Sequence, residues 1–144
     1  MEQQGELGFL IKQIYDAIGK KANAELKKNE MTLSQIRFIQ YIAEKGGKEI
    51  PLKDVESFFN VAQPTIAGIT RRLEIKKMIK TTPSKNDMRS KNVSLTSKGL
   101  KQATICSKNR MEMDERMLKS FSKEERAFLL TSLNKIRNEL IKDD

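Results

Sequence analysis

The sequence predicts a mainly α-helical chain that carries one short β-hairpin, an α+β arrangement. Five segments place apolar residues at three- and four-residue steps, which is the spacing of one helix face, and a further helix is predicted directly after the hairpin. Two short runs rich in β-branched residues, IKTT and NVSL, flank a polar loop and are typical of paired strands. The 144 residues, 38% of them hydrophobic and 33% charged, predict a single globular domain over 1–144.

The first two helices are predicted from apolar spacing and a capping pattern. The first runs to about residue 28 and has its apolar residues on one face: Leu7, Leu10, Ile11, Ile14 and Ile18. Thr32 and Gln35 have the spacing of a capping box, so a second helix begins there. Gly46-Gly47 should end this helix, whose stripe consists of Ile36, Ile39 and Ile42.

The remaining elements follow in the same way. KEIPL, held by Pro51, is a short extended piece, and LKDVESFFN is a third helix. AQPTIAGITRRLEIKKM is a fourth helix, with an inner face of Ile66, Ile69 and Leu73. After the hairpin, a fifth helix can start at Thr96. A sixth starts at a second capping box, Ser122 with Glu125, and its stripe is Leu129, Leu133, Ile136 and Leu140.

The charge of the chain favours polyanionic partners. The net charge is +9 and the sequence pI is about 9.7. Between Arg71 and Lys91, eight Lys or Arg residues stand against two acids. Such a concentration favours nucleic acid as the partner, ahead of an anionic membrane surface.

The same composition excludes several classes of function. The chain has no histidine and one cysteine, which excludes imidazole catalysis, the commonest zinc sites and an intrachain disulfide. No nucleophile–base pair or carboxylate cluster can be assembled, so we expect no enzyme activity, metal or cofactor. The N-terminus resembles no signal peptide, and no apolar run approaches the roughly 20 residues of a membrane span. We therefore expect a cytoplasmic protein.

Two short helices with a tight turn, followed by a β-hairpin, form a winged helix-turn-helix over residues 32–95. The fourth helix has a narrow apolar face, and the short polar side chains at its N-terminal end suit base edges in a major groove. The alternative is an ordinary amphipathic helix with a solvated basic side, and the basic hairpin favours DNA. The predicted DNA-binding residues are Gln63, Pro64, Thr65, Thr70, Arg71, Arg72, Lys85, Arg89 and Lys91.

Four fragments in this order, LSQIRFI, AQPTIAGITRRLE, NDMRSKNVSLTSKG and FSKEE, resemble the MarR family of bacterial transcriptional regulators over nearly the whole chain. The most specific is Asp87-Met88-Arg89 followed by VSLTSKG, which is similar to the wing signature of that family. The resemblance implies an obligate homodimer with dimerisation helices in 1–28 and 97–144. It also implies a regulator that represses, or occasionally activates, transcription and reads a pseudo-palindromic operator with half-sites about 10 bp apart.

The resemblance also implies roles for residues of the wing. Arg89 would enter the minor groove, and Asp87 would support the wing or pair with an arginine. Asn86-Asp87 is good turn chemistry as well, so a plain turn-forming role for Asp87 stays open. Three departures from the family pattern are Ala62 in place of a capping Ser, Lys77 in place of Gly, and the small Ala67-Gly68. The lost cap costs about 1 kcal/mol, and a left-handed turn at Lys77, where the family ends this helix, would cost about 1 kcal/mol. The small Ala67-Gly68 favours readout of DNA shape.

An effector site is the least defined expectation. Family members often respond to small aromatic anions, and Tyr15 and Tyr41 can line such a pocket or pack half-buried. Cys106 is expected to fill the core rather than to sense peroxide. Two other functions stay open: a low-specificity architectural DNA-binding protein without an effector, and a winged helix that contacts another protein.

Overall fold

The computed structural model describes residues 5–142, and they form six helices and one three-stranded antiparallel sheet in the predicted order. The chain divides into two compact units between Thr104 and Ile105, so α5 begins in the first unit and ends in the second. The single domain predicted from chain length stays a prediction. The elements are α1 (Glu6–Lys28), α2 (Leu33–Glu44), β1 (Ile50–Pro51), α3 (Leu52–Phe59), α4 (Gln63–Ile75), β2 (Ile79–Pro83), β3 (Lys91–Leu95), α5 (Ser97–Met117) and α6 (Lys123–Ile141).

Helix α2 begins and ends at the residues that the sequence indicates. The Thr32 side chain accepts a hydrogen bond from the Gln35 backbone N–H at 3.2 Å, and Gln35 Oε1 accepts one from the Thr32 N–H at 3.3 Å. Gly46, with a φ of 97°, ends the helix because a left-handed residue there costs glycine little. A second reciprocal box, Ser122 with Glu125, starts α6, so both predicted capping boxes are confirmed.

The core of the first unit is built from the predicted apolar stripes and the sheet. The strand order is β1-β3-β2, and Val93 at the centre of β3 pairs with Ile50 on one side and Thr81 on the other. Val93 is fully buried. The stripes predicted for α2 and α4 are buried around it: Ile36, Ile39, Ile42, Ile66, Ile69 and Leu73.

The end of α4 is a Schellman motif without glycine. Lys77 has a φ of 60°, the Lys77 N–H donates to the Glu74 carbonyl at 2.9 Å, and the Met78 N–H donates to the Leu73 carbonyl at 3.0 Å. The left-handed turn expected at Lys77 is therefore present. Buried Met78 supplies the apolar contact that accompanies this motif.

The Thr-x-x-Gly segment after β3 explains why the wing signature ends as it does. The Thr96 hydroxyl donates to the Lys77 carbonyl at 2.6 Å and accepts from the Gly99 N–H at 3.1 Å, while the Thr96 N–H donates to the Met78 carbonyl at 3.0 Å. A Cβ on Gly99 would lie 2.0 Å from the Met78 carbonyl oxygen. Gly99 therefore allows the start of α5 to pack directly on the backbone that follows α4.

Helices α1 and α6 leave their apolar faces uncovered in the single chain. Both lie within the described residues, and each of their residues is exposed or half-buried. The exposed apolar side chains of α1 include Leu7, Phe9, Leu10 and Ile14, and those of α6 include Phe128, Leu130, Leu133 and Leu140. Within the part of the chain that is described, no helix has the length and apolar character needed to cross a membrane.

Candidate nucleic-acid interface

Helix α4 turns one face into the core and leaves the other open. Pro64 lies in its first turn, where a missing N–H matters least, and Ala62 at the N-cap provides no side-chain hydrogen bond, as its methyl group requires. The buried stripe of Ile66, Ile69 and Leu73 holds the helix against the core. The exposed face carries five predicted DNA-binding residues, Gln63, Pro64, Thr65, Arg71 and Arg72, and also Ala67.

Thr70, a predicted DNA-binding residue, lies mostly in the core. Its side chain is only 7% exposed, and its hydroxyl donates to the Ile66 carbonyl at 2.8 Å. Thr70 lies four residues after Ile66 and therefore on the buried stripe, where its hydroxyl is satisfied by the preceding turn. Thr70 still contributes to the lining of the groove that contains Arg71, and its predicted DNA contact stays a prediction.

The hairpin places one predicted wing residue, Lys91, beside α4. Lys85, Arg89 and Lys91 are exposed in the loop and at the start of β3. Arg71 of α4 and Lys91 of β3 line one groove of about 220 Å³, together with Ala67 of α4. The lining of this groove also includes two carboxylates, Glu56 and Glu74, and the exposed cations Arg72, Lys85 and Arg89 belong to the same helix and hairpin.

Asp87 organises the tip of the wing through the backbone. Its Oδ1 accepts from the Arg89 N–H at 3.0 Å, and its Oδ2 accepts from the Ser90 hydroxyl at 3.2 Å. The Ser90 N–H donates to the Asp87 carbonyl at 3.0 Å, which closes the turn. Among the described residues no ion pair within 4 Å joins Asp87 to an arginine. The carboxylate supports the wing by holding the Arg89 backbone, so the turn-forming and wing-supporting interpretations coincide.

Glu49 supports the base of the wing and was not identified from the sequence. It accepts hydrogen bonds from the Thr82 hydroxyl of β2 and from Asn92 Nδ2 of β3, the latter at 3.2 Å. These two hydrogen bonds lower the pKa of Glu49 below its ordinary value of 4.5, and the charges of Lys85 and Lys80 lower it further. Glu49 and Thr82 are 33 residues apart, so no local pattern indicates the contact.

Lys76 is a second residue whose role sequence reasoning missed. It belongs to the basic run, yet its Nζ donates to Gln35 Oε1 at 2.8 Å and to the Glu30 carbonyl, and it lies 3.7 Å from Met31 Sδ. This half-buried lysine ties the end of α4 to the corner between α1 and α2. One of the eight cations between residues 71 and 91 is therefore directed into the protein.

Tyr15 and Tyr41, the candidate pocket residues, belong to α1 and α2, and Cys106 belongs to α5. Tyr41 packs on Phe58 with 4.6 Å between ring centroids, and Lys45 Nζ lies 5.5 Å from the Tyr41 ring centroid. Tyr15 is 71% exposed on α1, and Cys106 is half-buried on α5. The pocket role of the two tyrosines stays a prediction. Within residues 5–142, no group of three His, Cys, Asp or Glu side chains could hold a metal ion.

Comparison with known proteins gives a family and a set of similar structures. The profile of the family described as transcriptional regulator SarA/Rot matches residues 20–104. A search of curated proteins finds no match. The fold is similar to a point mutant of MepR from Staphylococcus aureus, with a TM-score of 0.82 and 25% identity over 93% of this chain and 98% of that one.

Two further MepR structures are informative. The S. aureus MepR–DNA complex matches with a TM-score of 0.73 and 25% identity, over 92% of this chain and 96% of that one. MepR described as a transcription regulator of the S. aureus multidrug efflux pump MepA matches with a TM-score of 0.80 and 24% identity, over 93% of this chain and 98% of that one. The winged-helix fold predicted from the sequence is confirmed by these likenesses.

Proposed function

This chain belongs to the SarA/Rot family of transcriptional regulators and has a MarR-type winged helix, and on that premise we propose that it is a homodimeric repressor of a pseudo-palindromic operator. Each protomer would place α4 in a major groove and the wing arginine Arg89 in the neighbouring minor groove. The operator half-sites would lie about 10 bp apart on one face of the duplex.

The observation that carries this proposal is the shared groove of the recognition helix and the wing. Arg71 and Lys91 line it from two different elements, together with the carboxylates Glu56 and Glu74, and the cations Arg72, Lys85 and Arg89 are exposed on the same helix and hairpin. Such a surface fits two strands of phosphates on either side of a major groove. MepR has been crystallised with DNA, which supports the same use of this fold here.

The proposal of a homodimer is supported by the uncovered apolar faces of α1 and α6. Leu7, Leu10 and Ile14 of α1 are each about half exposed or more in the single chain, as are Phe128 and Leu140 of α6. Contiguous apolar surface of this kind is usually covered by a partner. Sedimentation should give a dimer at micromolar concentration. A monomer that binds the operator with full affinity would contradict this part of the proposal.

The central test is DNA binding by a double variant. Bound sites are first mapped across the genome, and a duplex carrying the recovered site is compared with a random duplex at matched salt. Arg72→Ala with Arg89→Ala should reduce affinity at least tenfold and lower the slope of log affinity against log salt by about 0.9 for each lost phosphate contact. The matched control, Lys119→Ala with Lys123→Ala, removes the same charge outside α4 and the wing and should have little effect.

The outcomes separate the three candidate functions. A large ratio of site to random affinity supports a specific regulator, and a ratio near one supports an architectural protein. An affinity that does not change between low and moderate salt would overturn the proposed basic surface. A partner protein that binds equally well to wild type and to the double variant would support a winged helix used for protein contact.

We also propose that a small aromatic anion modulates DNA binding. The Tyr41 and Phe58 rings offer a stacking surface, and Lys45 beside them offers a positive charge. Phe58 is 58% exposed, so the surface is accessible. Such a ligand changes the DNA affinity only if it binds the DNA-binding conformation of the protein and the alternative conformation with different affinities. Titration with small aromatic carboxylates should weaken operator binding by wild type, and Tyr41→Ala should abolish that response while leaving DNA binding intact.

A further inference from the structure

An acidic side chain stands beside the N-terminal end of the recognition helix. Glu56 of α3 is half-buried, and its Oε2 accepts a hydrogen bond from Gln63 Nε2 at 3.0 Å across the turn between α3 and α4. Asn60, with a φ of 48°, reverses the chain in this turn and thereby brings the two residues together. Gln63 itself is exposed on the proposed DNA-facing side.

The position of Glu56 is unusual for a carboxylate in a basic interface. Glu56 lines the same groove as Arg71 and Lys91, yet no ion pair within 4 Å joins it to either of them in the described part of the chain. An unneutralised carboxylate near phosphates weakens non-specific attraction to DNA. Its hydrogen bond to Gln63 indicates that it orients the Gln63 amide instead.

The hydrogen bond fixes which end of the Gln63 amide faces Glu56. A carboxylate only accepts, so the amide NH2 must turn towards it, and Gln63 keeps Oε1 and one N–H for another partner. The Glu56–Gln63 pair then presents mostly acceptors to the major groove. Adenine N6 and cytosine N4 are donors there, whereas guanine and thymine present acceptors at the equivalent positions.

We propose that Glu56 is a specificity-determining residue that, together with Gln63, selects a base with an exocyclic amino group and rejects guanine and thymine. This inference rests on the proposed function, because it requires α4 to lie in the major groove. Glu56 acts partly by positioning Gln63 and partly by repelling acceptor-only base edges. Specificity of this kind needs a repulsive element as well as an attractive one.

The test is selection from a random duplex library by wild type and four variants. Gln63→Ala identifies the base position that Gln63 reads. At that position wild type should prefer adenine or cytosine by about tenfold, within the usual range for one side chain and one base. Glu56→Ala should remove this preference without changing the other positions. Glu56→Gln keeps an acceptor for Gln63 but adds a donor, so it should newly admit guanine or thymine.

Glu74→Ala is the matched control, because Glu74 lines the same groove and its carboxylate accepts from the Thr81 hydroxyl at 3.2 Å. It removes the same charge and should leave the base preference unchanged. If Glu56→Ala and Glu74→Ala both alter only the overall affinity, Glu56 is a repulsive charge and the inference is overturned. Wild-type protein that selects no sequence would overturn the proposed specific function together with this inference. Circular dichroism melting verifies that each variant is folded.

Discussion

Removing the wing carboxylate tests whether loop order or charge controls DNA binding. Asp87→Ala deletes the hydrogen bonds to the Arg89 N–H and the Ser90 hydroxyl, at 3.0 and 3.2 Å. For exposed groups we take about 0.5–1 kcal/mol for each bond, so about 1–2 kcal/mol of loop order is lost per wing. Removal of the carboxylate also removes its screened repulsion of the phosphates, which strengthens DNA binding by less than about 1 kcal/mol per wing. If the charge effect offsets about half of the lost order, the net loss is about 0.5–1 kcal/mol per wing, or about 1–2 kcal/mol for a dimer with two wings, so binding should be about 5- to 30-fold weaker.

The assay is fluorescence anisotropy with the mapped site at two salt concentrations. Asp87→Asn is the matched variant, because it removes the same charge but keeps the Oδ1 acceptor for the Arg89 N–H. It should bind at least as tightly as wild type. The deficit of Asp87→Ala should grow with salt, since salt screens the compensating charge effect. If Asp87→Ala binds as tightly as Asp87→Asn, the hydrogen bonds do not order the wing and the reasoning fails.

Three further predictions concern the free energy of unfolding, which is measured by urea unfolding. All proteins are compared at one protein concentration, because the stability of a dimer depends on its concentration. Gly99→Ala should lower the free energy of unfolding by about 2–3 kcal/mol, because the added Cβ would lie 2.0 Å from the Met78 carbonyl oxygen. Gly68→Ala, whose Cβ would meet no atom within 4 Å, should instead raise the free energy of unfolding by about 0.5–1 kcal/mol. Equal effects of the two substitutions would refute the close approach at Gly99. Because the pKa of Glu49 is lowered in the folded protein, its carboxylate stabilises the fold at any pH above the ordinary pKa of 4.5. This stabilisation is lost as the pH falls through the lowered pKa. Wild type should therefore unfold at higher urea than Glu49→Gln at pH 7, and the two should converge in acid. Lys76→Met should lower the free energy of unfolding by about 1–2 kcal/mol, because it removes a hydrogen-bond donor from the buried Gln35 amide oxygen. An unchanged midpoint of urea unfolding would contradict this contact.

The features that sequence reasoning predicted correctly are local ones. A capping box depends on residues three apart, and both boxes, at Thr32 and at Ser122, form with the expected partners. The apolar stripes of α2 and α4 follow helical periodicity alone, and both are buried. The left-handed turn at Lys77 could be located because the family pattern marks where the helix ends.

The features that sequence reasoning missed depend on contacts between distant elements or on the exact edge of a helix face. Thr70 lies at the border of the α4 stripe, where spacing does not decide whether a short polar side chain faces core or solvent. Its buried hydroxyl is satisfied by its own helix, so no unusual partner marks it. Glu49 and Lys76 bind partners 33 and 41 residues away, and a single sequence carries no signal for such pairs.

The acidic residues of the proposed interface share one physical feature that the net charge conceals. Glu49, Glu56, Glu74 and Asp87 each accept hydrogen bonds from neutral donors, namely hydroxyl, amide or backbone N–H groups. In the described residues none of them forms an ion pair with a lysine or arginine within 4 Å. If these carboxylates bound the nearby cations, each pair would have to be broken and desolvated before a phosphate could bind. Because they bind neutral donors, they order the wing and the recognition helix while the arginines and lysines stay available to DNA.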